Sequence, residues 1–293
     1  MPEHFAFSIF AKSFAKLNLS LEIGKYVAKA GMHMLQSQMV LIDFHEILLF
    51  RIELFPNLIN CFDFQIMPHE QCCPAVEDNL MFKAACKWHE MRKIGLNMKI
   101  WHDDNVPTGR GFGIASSNAS ELIKALEKCF SALMSESTGF TTTSDSFSEI
   151  KELCSLLGSD VPFFYYGRAN SFVSGFGETI APLKDDKKDR RFVIAIPPFH
   201  SNTPNAYKCL YENGERKYND FEHLEANVKA KKMLREITGA TNWKTTGSGA
   251  AQFIENPSPE LLRKIRNIQK NKICDFRFVE ATQLLPSTRL ELA

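Results

Sequence analysis

The chain has 293 residues, 44% of them hydrophobic and 24% charged, a globular balance that excludes a disordered chain and allows one large domain or two modest ones. Its 35 Lys and Arg nearly cancel its 34 Asp and Glu, for a formal net charge of +1. No basic excess is available to build a nucleic-acid footprint or a polybasic membrane patch.

The opening residues MPEHFAFSIFAKSFAK lack the ordered charged start, apolar core and cleavage site of a signal peptide. They also lack transit-peptide character, so a cytoplasmic location is expected. Residues 14–23 alternate, with Ala15, Leu17, Leu19, Leu21 and Ile23 on one side. The pattern predicts a strand whose other face carries Lys16 and Asn18, about 7 Å apart. Residues 39–55 are the most apolar stretch, but Asp43, His45, Glu46, Arg51 and Glu53 interrupt it, so it cannot span a bilayer. Strand character recurs over 40–54 and 98–101. Residues 77–93 read as a helix, with Leu80, Met81, Ala84, Ala85 and Trp88 at helical spacing. A second helix is predicted over 117–134 from Leu122, Ile123, Leu126 and Phe130.

Ser146 and Glu149 have the spacing of a capping box and open a third helix, which Gly158 closes as a left-handed cap. Asp160 then falls in a short joint before VPFFYYG, which reads as a strand. The charge run at 184–191 suits a junction between two lobes and places a domain boundary near 185, dividing the chain into 1–184 and 185–293. Beyond it come a strand at 192–196, an amphipathic helix at 258–270 and a closing strand at 276–281. Without a regular βαβ repeat, the expected class is α+β. The eight cysteines form no C-x-x-C pair and no histidines form H-E-x-x-H, so free thiols are expected.

Chemistry concentrates in VPTGRGFGIASSNAS, residues 106–120. Gly109, Gly111 and Gly113 at alternate positions permit unusual backbone angles and close ligand approach. The helix behind them aims its free N–H groups and positive end at the loop, an arrangement suited to nucleotide phosphates. Ser116 and Ser117 are placed to cap that helix, and a hydroxyl there can reach a phosphate-bound Mg²⁺. The spacing fits neither the P-loop nor the dinucleotide fingerprint. On its own, a glycine spacing of this kind reads first as a flexible turn feeding a capped helix.

Three further segments bear on that choice: AKLNLSL at 15–21, GSDVPFF at 158–164 and TGSGA at 246–250. In order with the glycine segment, they resemble the GHMP kinases, a superfamily of small-metabolite kinases. The likeness extends through Gly31-Met32-His33, Glu77-Asp78-Asn79-Leu80, Gly175-Phe176-Gly177-Glu178 and Thr203-Pro204. Within the superfamily the pattern is most similar to the kinases of 4-diphosphocytidyl-2-C-methyl-D-erythritol in the non-mevalonate isoprenoid pathway. The resemblance implies a two-lobed α+β fold, with an N-terminal lobe like ribosomal protein S5 and a ferredoxin-like C-terminal lobe. It implies ATP held by Pro107, Gly109, Arg110, Gly111, Gly113, Ala115, Ser116 and Ser117, with Gly247 and Ser248 nearby and Mg²⁺ on Ser116. The γ-phosphoryl group would pass to the substrate's 2-hydroxyl, with Lys16 and Asp160 catalytic, Asp160 as the base, and Asn18 beside the alcohol. His33, Thr203 and Tyr207 would serve the cytidine end. The implied partner is that small molecule alone, and the chain a monomer or homodimer.

Two departures stand out. Arg110, Phe112, Ile114 and Ala115 occupy a loop that is richer in glycine in the family, and Met32 stands where a stacking tyrosine is usual. They leave open a superfamily kinase for another small alcohol, of homoserine, threonine or mevalonate type, or a catalytically idle metabolite-binding relative.

Overall fold

A computed structural model describes residues 4–29, 31–67, 76–138, 144–183, 190–199 and 219–284. Two long strands, β1 (Phe5–Val27) and β2 (Met32–Phe55), pair antiparallel from Phe5↔Leu54 to Val27↔Met32. The alternation on β1 holds only in part: Ala15, Leu17 and Leu19 share one core, Leu21 is buried in another beside Phe14 and Ile23, and Lys16 and Asn18 between them are buried as well. The other edge of β2 carries both β4 (Gly95–His102) and β5 (Asn170–Gly175). Strand β3 (Phe62–Met67) lies parallel to β4, and β6 (Thr179–Pro182) follows β5, completing a six-stranded sheet.

Helices α1 (Leu80–Arg92), α2 (Ile114–Thr138) and α3 (Ser144–Leu157) are built onto this sheet. Phe50, Ile52 and Leu54 of β2 pack with Trp88 and Ala84 of α1, Leu122 and Leu126 of α2, and Ile150 of α3 in one core. Helix α1 starts later than 77, because Val76–Asp78 make a single 3₁₀ turn and the Asn79 side chain accepts from Met81 N at 2.9 Å. An asparagine carbonyl at that point caps the helix rather than continuing it. Helix α2, in contrast, starts early. Ser117 N already donates to Gly113 O at 2.9 Å, so Ser116 and Ser117 lie inside the first turn and do not cap it. In the same way α3 begins at Ser144, which makes Ser146 an inner residue rather than the first position of a capping box. Gly158 has φ 158°, close to extended, and is no left-handed cap.

The main correction concerns VPFFYYG. It forms a short helix, α4 (Val161–Tyr166), instead of a strand. Pro162 sits in the first turn, where its missing N–H costs nothing, and Phe164 N reaches back to Asp160 O at 3.3 Å. Val161, Pro162, Phe163 and Phe164 are all buried, so the run has no polar face from which a helical period could be read. Asp160 therefore lies between two helices, at the N-terminal end of the second.

The second sheet is antiparallel, in the order β10 (Arg277–Thr282), β7 (Arg191–Ile196), β9 (Gln252–Glu255), β8 (Lys244–Thr245). The run FVIAI on β7 is apolar throughout because both of its faces are covered. Val193 and Ala195 pack with Ala230 and Leu234 of α5 (Glu225–Thr238) and Ile265 and Ile268 of α6 (Pro259–Lys270). Phe192, Ile194 and Ile196 face the first sheet, against Leu17, Val40 and Ile42. Asp43 pins the junction, accepting from Thr282 N at 2.6 Å and Thr282 Oγ1 at 2.9 Å. The architecture is α+β, as the order of elements predicts.

Cys61, Cys86, Cys129, Cys154 and Cys274 are free thiols, while Cys72, Cys73 and Cys209 lie outside the described residues. Burial pushes the Cys129 and Cys154 thiols up to about 12, which leaves them inert at neutral pH. Residues 184–189 of the charge run also lie outside the described residues. Among those described, no helix is long and apolar enough to cross a membrane.

Candidate active site

The pairing of strand β1 is irregular between Phe14 and Lys16 and between Asn18 and Ser20, as well as nearer its end between Ile23 and Tyr26. Such shifts bend a strand and re-aim its side chains. Lys16 and Asn18 lie between the first two irregularities and line a cavity of about 280 Å³. Lys16 is 3% exposed, with Nζ donating to Asn18 Oδ1 and standing 3.6 Å from Asp160 Oδ2. Asn18 Nδ2 donates in turn to Ser37 Oγ at 2.8 Å, and that hydroxyl donates to Ser20 O at 2.6 Å. The amine is thus aimed by a chain of hydrogen bonds and not left to its own rotamers. Burial pushes the Lys16 ammonium below the ordinary lysine range, against the opposing pull of the Asp160 charge.

The glycine-rich loop closes the cavity from the other side. Pro107, Gly109, Gly111, Gly113, Ala115 and Ser116 line it, together with Ser248 and with Gly247, which packs against Gly111. Phe112 O accepts from Lys16 N at 3.0 Å, which fastens the loop to the bulged part of β1. At Gly113 (φ 68°) a Cβ would stand 2.9 Å from Phe164 Cε2 and 3.1 Å from Asp160 Oδ2, so the missing side chain is what admits the acid. The four N–H groups from Gly113 to Ser116 have no partner within α2, and the positive end of its dipole faces the cavity that these residues line. Asp160 is about a quarter exposed, open to the same space.

The remaining predicted residues are placed differently. Ser117 is buried in the helix and Arg110 is half-buried; neither lines the cavity. Arg110 gives its carbonyl to Ala251 N at 3.3 Å, and its buried Nε has no hydrogen-bond partner among the described residues. Burial holds its guanidinium below the usual arginine value. His33 sits near the β1–β2 turn, with Nδ1 3.2 Å from Gly24 O and its ring 5.1 Å from that of Tyr26, away from the cavity lining. Thr203 and Tyr207 lie outside the described residues.

Two residues have supporting roles that the sequence does not show, although Thr246 opens the TGSGA segment. Thr246 Oγ1 accepts from Asn18 N at 3.1 Å and donates to Gly111 O at 3.3 Å, joining β1, the glycine loop and the turn before Gly247. Glu46, 2% exposed on β2, accepts from Asn118 Nδ2 at 2.8 Å and Val106 N at 3.3 Å, anchoring both ends of the glycine segment. Burial raises its carboxyl above the usual range. A glutamate in the most apolar stretch was the available signal, and with Asp43, His45, Arg51 and Glu53 it counts in the sequence only as a bar to membrane insertion. The Gly175–Glu178 segment has a place as well. Gly177 packs directly on the carbonyl of Ser159, so the β5–β6 turn supports the residue before Asp160.

This closeness yields a prediction at Gly111 (φ 88°), where a Cβ would strike Thr246 O and lie 3.3 Å from Gly249 N. Gly111→Ala is expected to cost about 1–3 kcal/mol of stability through overpacking. It should also weaken ATP binding at least tenfold, because the glycine loop itself must shift at this position to clear Thr246 O. Thermal melts and calorimetric titration measure the two effects, and wild-type ATP affinity would mean that the loop backbone at Gly111 does not shape the nucleotide site.

No model of a known protein family matches the chain. A 4-diphosphocytidyl-2-C-methyl-D-erythritol kinase of Clostridium beijerinckii is 30% identical to it over 200 residues, 68% of this chain and 64% of that protein. Its counterpart in Clostridium botulinum is 30% identical over 242 residues, 78% of this chain and 77% of that protein. The match thus spans a little under two thirds of the first relative and over three quarters of the second. A crystal structure of 4-(cytidine 5'-diphospho)-2C-methyl-D-erythritol kinase superposes with a TM-score of 0.65 at 21% identity, covering 94% of this chain and 98% of that one. At that identity it speaks for the fold alone. With the first likeness carried by sequence and the second by architecture, the chain belongs to the 4-diphosphocytidyl-2-C-methyl-D-erythritol kinase family.

Proposed function

We propose that the protein transfers the γ-phosphoryl group of ATP to the 2-hydroxyl of 4-diphosphocytidyl-2-C-methyl-D-erythritol. The observation that carries the reading is the meeting of Lys16 and Asp160, 3.6 Å apart and far separated in the chain, in the cavity bounded by the glycine loop. Phosphoryl transfer asks little of a protein beyond alignment, charge neutralisation and a proton acceptor. Asp160 takes the hydroxyl proton as the oxygen attacks phosphorus. Lys16, held by Asn18, stabilises negative charge developing on the acceptor oxygen. The N–H groups at the start of α2 receive the phosphates.

Mg²⁺ fits this site in one way. Among the described residues no cluster of three His, Cys, Asp or Glu side chains could hold a metal alone. Ser116 nevertheless offers a hydroxyl on the cavity wall, and Mg²⁺ at nucleotide sites takes few protein ligands beside phosphate oxygens and water. Bound there, the ion would supply charge neutralisation on the phosphates. His33, Thr203 and Tyr207 are assigned to the cytidine end. The glycine-rich loop and the catalytic groups are assigned to an N-terminal domain spanning 1–184, followed by a C-terminal domain spanning 185–293, a division supported by the change of sheet between β6 and β7. A cytoplasmic protein acting on a small molecule, as monomer or homodimer, completes the reading.

Met32 and the side chains at 110, 112, 114 and 115 favour testing a second reading, a related kinase for another small alcohol. An ADP-release assay with the cytidylyl substrate beside homoserine, threonine and mevalonate separates the two. Turnover with the cytidylyl substrate alone is expected. Turnover only with another alcohol would replace the assignment, and none with any alcohol would leave a metabolite-binding protein.

A further inference from the structure

The turn bearing Gly247 and Ser248 belongs to no strand or helix, so contacts from elsewhere must hold it against Lys16. Two fully buried asparagines provide them. Asn219 Nδ2 donates to Thr245 O at 3.0 Å and Gly247 O at 2.8 Å, one on each side of Thr246, while its Oδ1 accepts from Phe221 N at 2.9 Å. Asn227, in the first turn of α5, donates through Nδ2 to Phe221 O at 2.8 Å and Ser248 O at 3.2 Å.

The backbone around Asn219 is fixed as well. Asn219 makes a parallel bridge to Leu21 of β1, Asp220 N donates to Leu21 O at 3.0 Å, and Asp220 Oδ2 accepts from Ile23 N at 2.6 Å. Leu21, Phe221, Gly247 and Ser248 all line the cavity, and each is joined to Asn219 directly or through Asn227. The hydrogen bonds of the Asn219 side chain go to this wall, and the glycine loop is tied down by other residues.

We infer that Asn219 is a positioning residue, whose side-chain amide sets the turn at 246–249 and the Phe221 wall against β1 and so aligns the acceptor side of the cavity with the phosphate side. An amide suits the task because it presents two donors and an acceptor from one rigid plane. Aspartate has the same shape but offers acceptors only, and would face two carbonyl oxygens. Since Asn219 does not hold the glycine loop, its loss disturbs alignment more than nucleotide binding. Misplacement of about 1 Å is enough to cost on the order of 100-fold in rate.

The kinetic part of this inference rests on the kinase reading, whereas the structural part does not. The test compares the full-length chain with Asn219→Ala and Asn219→Asp, following amide hydrogen exchange over 245–251 with α1 as reference. Both variants are expected to exchange at least about tenfold faster in that segment while α1 is unchanged, and Asn219→Asp to fare no better than Asn219→Ala. In the ADP-release assay, kcat should fall by about 10–100-fold and the KM for ATP stay within about threefold. Wild-type exchange and kcat in Asn219→Asp would overturn the inference, because shape alone would then suffice. A KM for ATP that rises in step with the loss of kcat would also overturn it, by moving the role to nucleotide binding. Asn219→Ser retains one donor and substitutes if the other variants do not fold; partial protection of 245–251 is expected, and full protection would refute the two-donor role. If the wild-type chain turned over none of the alcohols, the kinase reading would fail and the exchange data would still decide the structural claim.

Discussion

Replacing Asp160 with asparagine is expected to lower kcat by about 100-fold or more while changing ATP affinity by less than about threefold. The substitution keeps the shape and removes the one carboxylate that, among the described residues, stands with Lys16 in the cavity. An amide cannot take the proton that the attacking hydroxyl must lose, so the loss falls on the chemical step. ATP should be nearly indifferent to the change. Its phosphates are assigned to backbone N–H groups at Gly113–Ser116, which owe their direction to α2 and not to Asp160. Removing a negative charge next to a polyanion should, if anything, tighten ATP binding slightly. Single-turnover and steady-state ADP release, with calorimetric titration of ATP, give both quantities. Near-normal turnover in a folded Asp160→Asn protein would remove Asp160 from its role, whatever the substrate.

Part of this arrangement was legible in the sequence because it follows local rules. Alternation over 14–23 revealed the strand and put Lys16 and Asn18 on one face, and the glycine spacing pointed to a loop leading into a helix. Other parts obey no local rule. The irregularities flanking Lys16 and Asn18 depend on β2 as a pairing partner and leave no mark on β1 alone. The run after Asp160 looked like a strand because burial on every side erases the polar positions that would have revealed a helical period. Ser116 and Ser117 looked like caps because they are the right residue types, but Gly113 takes the place before the helix by closing against Asp160 and Phe164. Thr246, Glu46 and Asn219 act through bonds to residues remote in the chain. In a sequence, a fully buried asparagine that grips two carbonyls looks the same as one facing solvent.

The second large effect is expected from Lys16→Met, which should reduce kcat by about 100-fold or more without lowering the melting temperature at neutral pH. A structural ion pair would predict the opposite balance. Methionine has nearly the same length and fills the same buried space. What it removes is a charge held at 3% exposure, whose ionised form burial disfavours more than Asp160 favours it. The folded protein therefore binds this proton less tightly than the unfolded chain does. Through the interval from the lowered folded value up to the ordinary lysine value, wild-type stability should rise with pH on account of this group. Lys16→Met should lack that rise, so any stability advantage it has near neutrality narrows as the solution becomes alkaline. Two terms oppose the gain. Asn18 Oδ1 loses its donor, at about 1–3 kcal/mol if nothing replaces it, and Asp160 loses its partner but is open enough to be hydrated. Melting curves at several pH values, beside ADP release per folded molecule, resolve the matter. A steep fall in melting temperature with turnover preserved would make Lys16 a structural residue, and the cavity it lines would then need another source of positive charge for phosphoryl transfer.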